Sequence, residues 1–234
     1  MTRKLKYRGD FHNNEIEKVK HYFTSRYPGR AGISKSVFRI KENQRLSLLK
    51  EWFPRHREIS LLDIGCGDGV FLSNVLDGTL KLIKIEDLVP DNIKLAGCRL
   101  ADKTETLDTE VIDSYSVNDK KQYDIVLAIG IFDYYCDWPG LLESLMSRTK
   151  GILIADFPKS GTFHSMARRI WLGLNHIKLN TISGPGLDRF LRSLGMNFEV
   201  KELDLNWMVK IGNSEPQSRD QTAAGNSSSG GDSR

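Results

Sequence analysis

A chain of 234 residues, 39% hydrophobic and 27% charged, is long enough and apolar enough for one sizeable globular core. No apolar run approaches the ~18 residues that span a bilayer, and the basic start (Arg3, Lys4, Lys6, Arg8) leads into no apolar core of a secretory signal. The three cysteines, Cys66, Cys98 and Cys136, are odd in number and lack C-x-x-C spacing. That excludes a disulfide framework or a zinc site and leads us to expect a reducing compartment, the cytoplasm.

The net charge of +4 hides an asymmetry. Residues 1–58 hold fifteen Lys or Arg against six Asp or Glu, a net of +9, so the remainder is −5. Such a segment reads as a solvated helical face, or as a contact for an anionic substrate, a nucleic acid or a membrane surface. Its interleaved aromatics (Tyr7, Phe11, Tyr22, Phe23, Tyr27) are suited either to stacking on bases or to stapling the segment onto the core.

In chain order, Ile16, Val19, Tyr22 and Phe23 predict a helix over 13–27, stopped by Pro28-Gly29. Residues 29–36 read as a Gly- and Ser-rich loop, and a second helix is expected from Lys41 to Phe53. The apolar run Ile59 to Ile64 predicts a buried parallel strand. It breaks into Gly65, Gly67 and Gly69 and resumes at helical spacing from Val70, the first unit of a doubly wound α/β fold. Leu80 to Asp87 is the second strand, with a helix opening at Pro90, and Thr109 to Ser114 the third, ending in Asp113. Tyr123 to Gly130 is the fourth strand, followed by Ile131-Phe132-Asp133-Tyr134-Tyr135. A helix from Trp138, a fifth strand from Gly151 to Phe157 and an extra helix from Phe163 to Leu174 come next. After a loop at 183–186, a helix runs from Leu187 to Leu194, and 198–203 and 206–211 form a terminal strand pair. From residue 212 the chain has almost nothing apolar and reads as a disordered tail. Three segments result: a basic helical one (1–58), an α/β domain (59–211) and the tail (212–234).

The run L-L-D-I-G-C-G-D-G, 61–69, closely resembles motif I of the class I S-adenosylmethionine-dependent methyltransferases. Its G-x-G-x-G spacing, with Asp63 before the first glycine, differs from the G-x-G-x-x-G of dinucleotide binders. I-E-D-L-V-P-D-N-I-K-L-A is similar to the family's second motif, whose register puts the ribose-binding acid at Asp87, with Glu86 as competitor. Y-D-I-V-L-A is similar to its F-D-x-V pattern, which places 131–135 at the methyl-transfer centre. G-I-F-D-Y-Y, L-I-A-D-F-P and the basic helix that follows are loosely similar to the magnesium-protoporphyrin methyltransferases, which esterify a porphyrin carboxylate.

The resemblance covers about residues 40–211. It implies a Rossmann-like seven-stranded sheet with helices on both faces, an N-terminal helical lid, and S-adenosyl-L-methionine as cofactor. By the same resemblance the cofactor lies against Asp63, Gly65, Cys66, Gly67, Asp87, Leu88, Asp113, Ser114 and Ile129. Asp113, implied to meet the adenine amino group, reads equally as a turn residue.

Methyl transfer from a sulfonium needs an in-line nucleophile and exclusion of water. A hydroxyl or amine acceptor needs a general base, whereas a carboxylate does not. The candidates are Asp133, Tyr134 and His164, with Tyr135 and His176 behind them. Arg168 and Arg169 read either as a clamp for an anionic acceptor or as a solvated pair. The sequence implies no metal. The reading is transfer to a small molecule at oxygen. The alternatives are an RNA methyltransferase docking through the basic segment and an inactive binding protein on the same fold. A nicotinamide-dependent oxidoreductase is disfavoured by the glycine spacing and Asp63.

Overall fold

The computed structural model describes residues 9–26, 34–54, 57–113 and 121–212. Its elements are α1 (Gly9–Arg26), α2 (Ser34–Trp52), β1 (Ser60–Ile64), α3 (Val70–Val75), β2 (Leu80–Asp87), α4 (Pro90–Leu100) and β3 (Thr104–Val111). They continue with β4 (Tyr123–Ala128), α5 (Trp138–Ser147), β5 (Thr149–Pro158), α6 (Phe163–Gly173), α7 (Gly184–Ser193), β6 (Phe198–Glu202) and β7 (Asn206–Gly212).

The strands form one seven-stranded sheet in the order β3-β2-β1-β4-β5-β7-β6. β1 to β5 are parallel, while β7 runs antiparallel to β5 and to β6. Strand order reverses between β1 and β4, so their carboxyl ends open the crevice where such sheets take ligands. Alternation along each strand feeds both faces. Leu62, Ile64, Val126, Ala128, Leu153 and Phe157 pack with Leu141, Leu142 and Leu145 of α5 and Leu187 and Leu191 of α7. Leu61, Ile83, Ile85, Ile125, Leu127 and Ile154 pack with Leu48, Leu49 and Trp52 of α2, Leu72 of α3 and Ile93 and Ala96 of α4. A smaller cluster joins Val19 of α1 to Leu172, Ile177 and Leu179 in and after α6, with Tyr22, Phe23 and Tyr134 against it.

The doubly wound seven-stranded sheet is as the sequence predicts, with several boundaries moved. α1 begins at Gly9 rather than Asn13, and α2 at Ser34 rather than Lys41, so the last residues of the expected 29–36 loop are helical. β3 starts at Thr104 and ends at Val111, because Thr104-Glu105-Thr106-Leu107-Asp108 pairs along β2 as a half-exposed edge strand. Asp113 therefore lies beyond the strand end. β4 closes at Ala128, leaving Ile129 and Gly130 in the turn that follows. The expected loop at 183–186 is the first turn of α7, capped by Ser183, whose Oγ accepts from Gly186 N–H. Gly212, placed in the tail from sequence, ends β7 opposite Ile152. The rest of the tail, the Pro28-Gly29 stop and the basic residues 1–8 lie outside the described residues. Among the described residues no helix is long and apolar enough to cross a membrane.

Candidate functional site

The loop after β1 is held by the end of β2. Gly65 and Cys66 both donate their N–H to the Glu86 carbonyl, at 2.7 and 3.2 Å. Gly65, Gly67 and Gly69 all have positive φ (69°, 55° and 76°), the conformation glycine adopts without a Cβ penalty. They do different work. A Cβ on Gly65 would stand 2.3 Å from Ile131 Cγ2, and one on Gly69 2.7 Å from Ala96 Cα, so these two permit close packing of the post-β4 segment and of α4. A Cβ on Gly67 would meet nothing within 4 Å. Gly67 is the glycine that faces open space.

The Asp87 carboxylate organises the same spot. Its Oδ2 accepts from Gly67 N–H (3.0 Å), and its Oδ1 accepts from Val89 N–H (2.8 Å) and Asn92 Nδ2 (3.2 Å). Burial raises its pKa against the pull of these donors. Asp63 lies buried on the same face of the sheet, and burial together with the Asp87 charge pushes its pKa up to about 7. Burial likewise pushes the Cys66 thiol up, so it stays protonated and donates to the Gly67 carbonyl at 3.4 Å. Leu88 packs at the edge of the core, and Ile129 lies half-buried beyond β4.

Glu86, adjacent in sequence to Asp87, points to the opposite face. It is fully buried and takes both terminal nitrogens of Arg148, at 2.8 and 2.6 Å, with Lys84 Nζ 3.6 Å away. A carboxylate occupied in this way braces the end of β2. The alternation that separates the two acids also sets Lys84 with Glu86, and Ile83 and Ile85 with Asp87.

Across the crevice, the segment after β4 meets a buried ionic cluster. Asp133 pairs with Arg168 of α6 at 2.5 Å, and a second nitrogen of Arg168 donates to the Tyr134 hydroxyl at 2.9 Å. Burial raises the Tyr134 phenol to about 12, with Arg168 opposing the shift. Burial works to lower the Arg168 pKa, but Asp133 and Tyr134 outweigh it and raise it. Asn180 fixes the backbone here, donating its N–H to the Asp133 carbonyl (2.8 Å) and its amide to the Phe132 carbonyl (3.2 Å). Tyr135 donates its hydroxyl to Asp113 at 2.8 Å, tying the turn after β3 to the turn after β4.

Two members of this cluster were not singled out from sequence. Asp156 of β5 accepts from Gly130 N–H (2.5 Å) and Asn206 Nδ2 (2.7 Å) and pairs with Arg45 of α2. Burial lowers the Arg45 pKa to about 10, with Asp133 opposing. Both had a signal: Arg45 stands three, four and seven residues before Leu48, Leu49 and Trp52, a cation on an apolar stripe. Asp156 interrupts the apolar run Ile152 to Phe157.

His164 opens onto a small pocket with Arg168, Asn206, Lys159 and Leu179, at the edge of the ionic cluster. His176 is exposed in the turn after α6, with a left-handed φ of 58°. Arg169 is exposed and donates to Thr181 Oγ1 at 2.9 Å. Ser114 lies outside the described residues. Among the described residues no group of three or more His, Cys, Asp or Glu side chains is arranged to hold a metal ion.

This strand order, with a positive-φ glycine loop after β1 and an acid closing β2 against it, defines a class I methyltransferase fold. The chain belongs to the methyltransferase domain family, whose model matches residues 38–201. Among solved structures it is similar to magnesium protoporphyrin IX methyltransferase from Synechocystis PCC 6803 with bound S-adenosylhomocysteine. The TM-score is 0.66 at 14% identity, covering 85% of this chain and 100% of that one. It is also similar to an N-methyltransferase from Bradyrhizobium japonicum WM9 in complex with S-adenosylhomocysteine. There the TM-score is 0.54 at 13% identity, covering 74% and 87% of the two chains. A [4+2]-cyclase shares the fold at a TM-score of 0.51 and 17% identity, covering 68% of this chain and 59% of that one. No curated protein matches the chain.

Proposed function

We propose that the protein transfers a methyl group from S-adenosylmethionine to an oxygen of a small molecule, and that the acceptor is a carboxylate. The observation that carries the cofactor reading is the pairing of Gly67 with Asp87. A backbone open to ligand and an oriented carboxylate stand side by side at the point where strand order reverses. In this reading Asp87 accepts from the ribose hydroxyls, Gly65 to Gly67 lie along the amino-acid portion, and Asp63, whose carboxyl pKa burial holds up to about 7 in the cofactor-free protein, gives up its proton as the cationic cofactor binds. Asp113, beside Tyr135, borders the adenine end.

When bound, the cofactor supplies a methyl group already activated by the positive sulfur. The chain's own residues position the acceptor and exclude water. Asp133 is engaged by Arg168, and the Tyr134 hydroxyl keeps its proton to about pH 12 while accepting from the same arginine. Neither is poised to take up a proton at neutral pH. Such a lining serves an acceptor that arrives deprotonated, as a carboxylate does, with Asp133 and Tyr134 as walls and His164 at the margin.

The test is transfer of label from methyl-labelled S-adenosylmethionine to a panel of carboxylates, phenols and amines, followed by mild base. Label released as volatile methanol marks a methyl ester and is the expected result. Label that stays on an amine or phenol product rules out the carboxylate acceptor.

A further inference from the structure

α6 is amphipathic in the inverted sense. Its only fully buried apolar residue is Leu172, and Arg168 points inward to Asp133. Phe163, Met166, Ile170 and Trp171, with Leu174 just past the helix end, are all exposed, Phe163 to 82% and Leu174 to 73%. At 3.6 residues per turn these five fall within an arc of about 140° on the side away from Leu172. A contiguous apolar stripe of this kind on a protein surface marks a contact.

Charge says with what. No Asp or Glu occurs from Phe157 to Leu187, a stretch that also carries the exposed Arg169 and Lys178. Apolar residues that include Phe and Trp, on a segment that carries exposed cations and no acid, match the interface of an anionic lipid layer. A two-fold contact with a second copy would bring the same cations face to face. Nor do the chain's own undescribed ends fit. Residues 1–8 are basic without an acid, and 213–234 have no aromatic or branched aliphatic side chain to lay on the stripe.

We infer that α6 is an interfacial helix, lying with its apolar stripe in the surface of an anionic membrane. Arg168 ties this helix to Asp133 and Tyr134, so docking would hold the post-β4 segment beside the lipid surface. The inference rests on exposure and charge, and stands whether or not the acceptor is a carboxylate.

The experiment is flotation of the full-length protein with vesicles of phosphatidylcholine alone, or of phosphatidylcholine containing about one third phosphatidylglycerol. Wild type should float with the anionic vesicles and remain behind with the neutral ones. Ile170→Ser/Trp171→Ser and Arg169→Glu/Lys178→Glu should each weaken partition at least about tenfold, given the size of the apolar and charge contributions removed. All four positions are exposed, so the thermal transition should not move. The serine variant keeps residues 1–8, which separates α6 from simple attraction by the basic terminus. Absence of flotation, equal flotation with both vesicles, or variants that float like wild type would overturn the inference. So would a wild-type dimer in sedimentation that the serine variant converts to monomer, since the stripe would then be a self-association face.

Discussion

The three glycines of the loop look alike in sequence and separate in space. Gly69→Ala drives a methyl into the α4 backbone at Ala96, so it should lower stability by several kcal/mol as well as impair ligand binding. Gly67→Ala meets no neighbour and carries only the left-handed strain, about 1–2 kcal/mol. It should leave a stable fold yet weaken cofactor binding at least tenfold, because its Cβ enters the space assigned to ligand. Thermal melts paired with titrations of both variants check this; a Gly67→Ala protein that binds normally contradicts the assignment. Asp63 gives a pH prediction of definite sign. Its carboxyl rises from 3.8 to about 7 on folding, so between those values the folded state holds more protons than the unfolded one. This contribution to stability is complete below about pH 4 and is lost as pH rises through 7. The melting temperature of the cofactor-free protein should therefore fall from pH 5 to 8 more steeply in wild type than in Asp63→Asn. Parallel profiles would refute a protonated Asp63.

At the scale of elements, the end of β2 is braced from one face and holds the glycine loop on the other. Glu86 and Arg148 are both buried, and removing Arg148 leaves the Glu86 carboxylate with the more distant Lys84 in place of two short bonds. Arg148→Met should cost about 3–5 kcal/mol in urea denaturation, and adding Glu86→Gln should recover part of it. A loss below about 1 kcal/mol would mean the pair is not bracing the strand. In sequence only register against the start of α4 separates Asp87 from its competitor Glu86, because adjacent acids at a strand end look equivalent. The pleat separates them, since Asp87 shares its face with Ile83 and Ile85 while Glu86 shares its own with Lys84. β3 was misplaced for a related reason. Its half-exposed threonines and acids carry no apolar run, and only pairing along β2 reveals the strand. The long-range pairs Arg45–Asp156 and Arg168–Asp133 join elements more than a hundred or some thirty residues apart, a proximity that no local pattern encodes.

For the molecule as a whole, the sheet was legible because its central strands are apolar runs punctuated by glycine and proline, and the motif I loop fixed where the first of them ends. The buried ionic cluster was less so, because α2 and α6 reach it through tertiary packing. The fold alone serves several chemistries, as its likeness to a [4+2]-cyclase illustrates. The account therefore rests on whether the glycine loop and Asp87 hold a sulfonium cofactor. The direct measurement is calorimetric titration of wild type and Asp87→Ala with S-adenosylmethionine, S-adenosylhomocysteine and NADH. We predict micromolar binding of the two sulfur compounds and none of NADH, with at least a tenfold loss in Asp87→Ala at unchanged fold. Folded wild-type protein that binds neither sulfur compound at millimolar concentration, or an Asp87→Ala variant that binds both as tightly as wild type, would contradict it.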